Sequence, residues 1–160
     1  MQANAPNAQP ALRRVVVLVG LPGSGKSTYV KPMGSAVLSS DKIRELLADD
    51  ETDQTIHEQV FQTLRYILRQ RLAIGRPVTY VDATNLTPAE RRPYVEIARE
   101  NGADAEAVFL DVPVEVCLER NAGRSRVVPA EAVREMAVKL IPPRLEEGFS
   151  KIVIRRMKRK

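Results

Sequence analysis

The chain has 160 residues, 44% hydrophobic and 28% charged, with a formal net charge of +5. That suffices for one packed domain and excludes wholesale disorder, and the longest apolar run, Val15 to Val19, is far too short to cross a membrane. A single cysteine, Cys117, excludes an intramolecular disulfide, and the N-terminus lacks the pattern of a secretory signal, so a reducing, cytoplasmic setting with no membrane contact is expected.

Residues 1–11 are rich in Ala, Asn, Gln and Pro and read as a disordered N-terminal segment. One domain is expected over residues 12–154. A basic tail follows over 155–160, with five of the 25 basic residues and no acid. The remainder has 20 bases against 20 acids and is neutral. The tail reads as a solvated end or as a loose grip on a phosphate backbone.

Within the domain, strand and helix signals alternate. Val15–Val19 is a continuous apolar run, as in a strand covered on both faces. Ile43, Leu46 and Leu47 then recur at helical spacing after the short β-type segment Val37-Leu38. Ile56, Val60, Leu64, Ile67 and Leu68 form a longer stripe that stops at Gly75. Val78–Val81 is strand-like. Thr87, Pro88 and Glu90 supply an N-cap, a first-turn proline and a capping glutamate for a helix that ends at Asn101-Gly102. Ala107–Leu110 is a further strand. Pro113 and Pro129 open two more helices, and Ile152–Ile154 closes the series. This order predicts an α/β fold, a parallel β-sheet flanked by helices on both faces. Ligands then bind beyond the carboxyl ends of the strands, after Val19, Leu38, Val81 and Leu110.

Gly20-Leu-Pro-Gly23-Ser24-Gly25-Lys26-Ser27 matches G-x-x-x-x-G-K-[ST] between a strand and a helix. Glycines there let backbone N–H groups turn toward phosphate oxygens, and the helix points its N-terminus at the same anion. Lys26 is placed for the β- and γ-phosphates and Ser27 for Mg²⁺. Asp82 closes the Val78–Val81 strand and reads either as a Mg²⁺ ligand, directly or through water, or as a turn residue. Asp111 reads as a turn or cap residue.

Asp41 and Arg44 follow the second strand and share one helix face. A carboxylate there suits proton acceptance from an attacking hydroxyl, and the arginine suits an acceptor phosphate. The alternative is a helix-start acid with its ion-pair partner. Arg120, Arg124 and Arg126 cluster around Gly123, as a movable segment over a transferring phosphoryl group or as a solvated charged loop. His57 reads as a surface or capping residue, and Cys117, Tyr66, Tyr94 and Phe61 as helix-packing residues. No His/Cys clustering signals zinc.

Together these motifs resemble the kinase domain of bacterial polynucleotide kinase-phosphatases. The resemblance rests on Gly20–Thr28, Val37–Asp41 with Arg44, Asp50–Thr55, Val81-Asp-Ala-Thr-Asn85, Val116–Asn121 and Glu147-Gly-Phe149, and it spans roughly Val15 to Ile154. It implies a P-loop kinase fold with an arginine-bearing lid and transfer of the γ-phosphate of ATP or another NTP to a 5′-hydroxyl of DNA or RNA, with Mg²⁺. Gly20, Gly23, Ser24, Gly25, Lys26, Ser27, Thr28, Arg120 and Arg124 would hold the donor. Asp41 would be the general base. Arg44 would contact the acceptor phosphate, Gln54 would lie near the terminal nucleoside, and Arg120 and Arg126 would clamp the donor from the lid. The lid stretch Arg124–Pro129 is shorter than the family's, so the place of Arg126 within it stays open. Phosphatase and ligase steps would fall to separate proteins. Two other readings stand beside this one: a kinase acting on a hydroxyl of a sugar, nucleoside or antibiotic, and a nucleotide-switched binding module.

Overall fold

A computed structural model describes residues 12–125 and 127–157. The expectations for residues 1–11, Arg126 and residues 158–160 fall outside the described residues.

Five parallel strands form one sheet: β1 (Arg14–Val19), β2 (Val37–Ser39), β3 (Val78–Asp82), β4 (Asp104–Asp111) and β5 (Lys151–Arg156), ordered β2-β3-β1-β4-β5. The apolar run of β1 follows from its central place. Val15, Val17 and Val19 face a core shared with helices α3 (His57–Ala73) and α4 (Pro88–Glu100), while Val16 and Leu18 face a second core with Val30, Tyr80 and Val108. Every residue of β1 after the partly exposed Arg14 meets protein on its own face, so Val15–Val19 carries no polar side chain. On α3, Val60, Leu64, Leu68 and Leu72 are wholly buried. Each such side chain contributes about 1.5–3 kcal/mol of burial. A third cluster joins Leu21, Leu86 and Cys117 and seats α5 (Val114–Ala122) and α6 (Ala130–Lys139).

Helix ends follow the expected chemistry. The Thr87 hydroxyl accepts from Glu90 N at 3.3 Å, and the Glu90 carboxylate accepts from Leu86 N at 2.6 Å. Gly75 and Gly102 both adopt positive φ just past their helices.

Four sequence readings change. α2 (Ser40–Ala48) buries Ser40, Ile43 and Arg44, leaving Leu46 81% and Leu47 49% exposed. The helix presents only one narrow edge to the core, and Arg44 takes the i+4 place on it. Tyr66 is exposed because it lies off the Val60–Leu64–Leu68 stripe. β5 runs on through Arg156, so Arg155 and Arg156 pair with Leu110 and Asp111 instead of starting a tail. Asp111 caps no helix; it ends β4 and sits 3.4 Å from Arg156 Nε.

Candidate active site

The carboxyl ends of β1, β2 and β3 meet at one edge, with Ser39 in register beside Asp82. After β1 the chain turns through Gly20–Gly25 into α1 (Lys26–Val30). Gly23 has φ +84°, and a Cβ there would collide with the Cys117 carbonyl of α5. Gly25 has φ +98° and caps α1. Both are therefore positions only glycine fills without strain. Ser24 packs under the loop, its buried Oγ making no hydrogen bond, where a Cβ on Gly20 would press on it.

Lys26 is buried and its Nζ donates to Leu21 O at 3.0 Å. Burial lowers its pKa to about 8, with the Asp82 charge opposing that shift. Ser27 Oγ donates to Asp82 Oδ2 at 3.4 Å. Burial raises the Asp82 pKa, and Lys26 pulls it back. A hydroxyl and one carboxylate are hard oxygen donors. They suit Mg²⁺, which takes few protein ligands and fills its shell with phosphate oxygens and water. Among the described residues no group of three or more His, Cys, Asp or Glu side chains offers a fuller metal cage.

On the opposite wall, Ser39 caps α2 by accepting from Lys42 N at 3.3 Å. Ser40 Oγ donates to Asp82 O at 3.4 Å, fastening the start of α2 to the end of β3. Asp41 lies in the first turn. Arg44 is 4% exposed; its Nη1 is 3.3 Å from Asp41 Oδ1, and its buried Nε makes no hydrogen bond. Asp41 and Arg124 are both near enough to Lys26 and Asp82 to bias their protonation.

Arg120 lies in the last turn of α5, with Nη1 3.8 Å from where a Cβ on Gly25 would stand. Its guanidinium thus overhangs the phosphate loop. Asn121 staples the two ends of the arginine loop: its Nδ2 donates to Val128 O at 2.6 Å, and its Oδ1 accepts from Val128 N at 3.1 Å. The segment read as movable, or as a solvated charged loop, is thus tied at its base by one side chain.

One cleft of about 960 Å³ gathers Gly23, Gly25, Lys26, Ser27, Thr28, Asp41, Arg44, Gln54, Asp82, Arg120 and Arg124. Of the expected site residues, Gly20 and Ser24 support the loop from behind. The same cleft takes in residues that sequence reasoning missed. His57 and Phe61 pair their rings at 4.6 Å, and Arg155 lies over the Tyr29 ring at 5.4 Å. The spacing His57-x-x-x-Phe61 was readable as one helix face. Arg155 was hidden because the strand signal stopped at Ile154.

A family model described as an AAA domain (AAA_33) matches residues 15–143. An L-seryl-tRNA(Sec) kinase of Methanococcus maripaludis is 27% identical over 138 residues, 81% of this chain and 53% of its own. The chain thus spans about half the length of that relative. Among solved structures, a chain of the Pnkp1/Rnl/Hen1 RNA repair complex superposes with a TM-score of 0.70 at 22% identity, covering 86% of this chain and 47% of that one. A gluconokinase from Sinorhizobium meliloti 1021 gives 0.56 at 18% identity, covering 95% and 86%. At such identities the superpositions speak for the fold. The chain belongs to the AAA domain family of that model and has the nucleotide-binding fold of a P-loop kinase.

Proposed function

We propose that the protein transfers the γ-phosphate of an NTP, with Mg²⁺, to a 5′-hydroxyl end of DNA or RNA. The observation that carries this reading is the Asp41–Arg44 pair across the cleft from Lys26, Ser27 and Asp82. A guanidinium buried in a cleft wall with Nε unbonded suits a phosphate that arrives with the acceptor. Asp41, one turn away, takes the proton from the attacking hydroxyl. The hydroxyl oxygen then forms a bond to the γ-phosphorus as the bond from that phosphorus to the bridging oxygen breaks, and the NDP leaves. Lys26 holds the β- and γ-phosphates. Arg120 and Arg124 donate to oxygens on which charge gathers. Bound Mg²⁺, held by Ser27 and Asp82, would neutralise phosphate charge. Resemblance to polynucleotide kinases supports the choice of acceptor.

A second reading, a kinase for a small hydroxyl compound, draws on a different feature. Residues 42–58 along the acceptor wall carry Glu45, Asp49, Asp50, Glu51, Asp53 and Glu58 against Lys42 and Arg44. That rim repels a long polyanion. Transfer of labelled γ-phosphate to a 5′-hydroxyl oligonucleotide, beside sugars, nucleosides and seryl-tRNA, separates the two. Labelling of the oligonucleotide alone supports the first reading, and labelling of a sugar or nucleoside alone supports the second.

A further inference from the structure

The turn after β3 holds a buried polar chain that the reaction chemistry above does not use. Asn85 sits at φ +47°, a left-handed conformation that few residues other than glycine and asparagine adopt. Its side-chain Nδ2 donates to Leu18 O at 2.8 Å and to Ala83 O at 3.3 Å. Gly20 N donates to Thr84 O at 3.1 Å. The turn therefore grips the root of the phosphate loop at two points, either side of Val19. Asp82, which faces Ser27, is only three residues before Asn85.

The left-handed residue is itself locked. Arg91 of α4 is fully buried and donates from Nη1 to Asn85 O at 2.8 Å. Its Nε and Nη2 meet the two Glu147 oxygens at 2.8 and 2.9 Å. Burial alone would raise the Glu147 pKa. The bonds from Arg91 and Arg144 N overcome it and leave the group below the ordinary range. The pair, with Arg91 buried and Glu147 partly exposed, holds the guanidinium in the place from which it bonds the Asn85 carbonyl.

We propose that Asn85, locked by Arg91 and Glu147, is a positioning residue that sets the separation of Asp82 from the phosphate loop and thereby the Mg²⁺-dependent part of nucleotide affinity. It rests on the donor-site reading above. Asn85→Gly keeps the backbone conformation and removes both side-chain bonds. Asn85→Asp keeps the shape but sets an acceptor against two carbonyl oxygens.

The test measures binding of mant-ATP with Mg²⁺ and with EDTA, beside thermal melting. The wild type binds more tightly with Mg²⁺. In Asn85→Gly that gain should shrink by about 10-fold, the scale for losing a group that orients a metal ligand, while affinity in EDTA stays within about two-fold. Asn85→Asp should lose more. Glu147→Gln should act in the same direction, and its combination with Asn85→Gly should cost less than the sum. A lower melting temperature with the Mg²⁺ gain intact would make Asn85 merely structural and overturn the proposal. Equal losses with and without Mg²⁺ would do the same. A wild type that gains nothing from Mg²⁺ would overturn the metal reading and this proposal with it.

Discussion

Arg44 Nη1 stands 3.3 Å from Asp41 Oδ1, one helical turn apart, and only the arginine is buried. A buried charge with an unbonded Nε is costly to hold unless a second anion joins it. Arg44→Lys keeps the charge but loses the fork. The expected result is a KM raised about 10-fold or more for an acceptor with a phosphate next to its hydroxyl, near-normal nucleotide affinity, and little change for an acceptor without that phosphate. Steady-state kinetics on the two acceptors checks it.

Lys26 sets a pH dependence. Its pKa falls from 10.5 to about 8. Between those values the folded protein holds the amine neutral while the unfolded chain holds it charged, so this group's contribution to stability rises with pH across that window. Attraction for phosphate runs the other way, complete well below 8 and lost as pH rises through it. Nucleotide affinity should fall from about pH 7 to about pH 9, with proton uptake on binding at the upper end. Calorimetry in two buffers of different ionisation enthalpy reads the uptake, which Lys26→Met should abolish.

Gly23→Ala should eliminate nucleotide binding while the rest of the fold survives. The added methyl meets the Cys117 carbonyl, and φ +84° strains any L side chain. Titration with mant-ATP and circular dichroism give both readouts.

Much of this was legible in the sequence, and the failures have physical causes. The phosphate loop was readable because only glycine fits Gly23 and Gly25, and α4 because Thr87, Pro88 and Glu90 each serve the helix start. Pattern alone misplaced Leu46 and Leu47, since their helix meets the core along one edge, where Arg44 displaces an apolar residue. It ended β5 early because Arg155 and Arg156 lie on an edge strand, where charge is tolerated. The Asn85–Arg91–Glu147 chain joins residues 56 positions apart, which no local period reveals.

Arg120, over the phosphate loop, and Arg124, near Lys26 and Asp82, should act on the rate. Arg120→Ala should lower kcat by about 10³-fold, the lower scale for an arginine that meets transition-state charge, and change nucleotide affinity far less. Arg120→Lys should recover little. The same kcat assay on Arg126→Ala tests the lid expectation.

The measurement that bears most directly on the proposed reaction is Mg²⁺-dependent transfer of labelled γ-phosphate to a 5′-hydroxyl oligonucleotide by the wild type and by Asp41→Asn. Asparagine keeps the size of Asp41 but removes the base. The expected result is robust labelling by the wild type and a rate lower by about 10²-fold or more in the variant, with nucleotide and oligonucleotide affinities near normal. Wild-type turnover within a few-fold by Asp41→Asn, or no labelling of the oligonucleotide by the wild type, would contradict it.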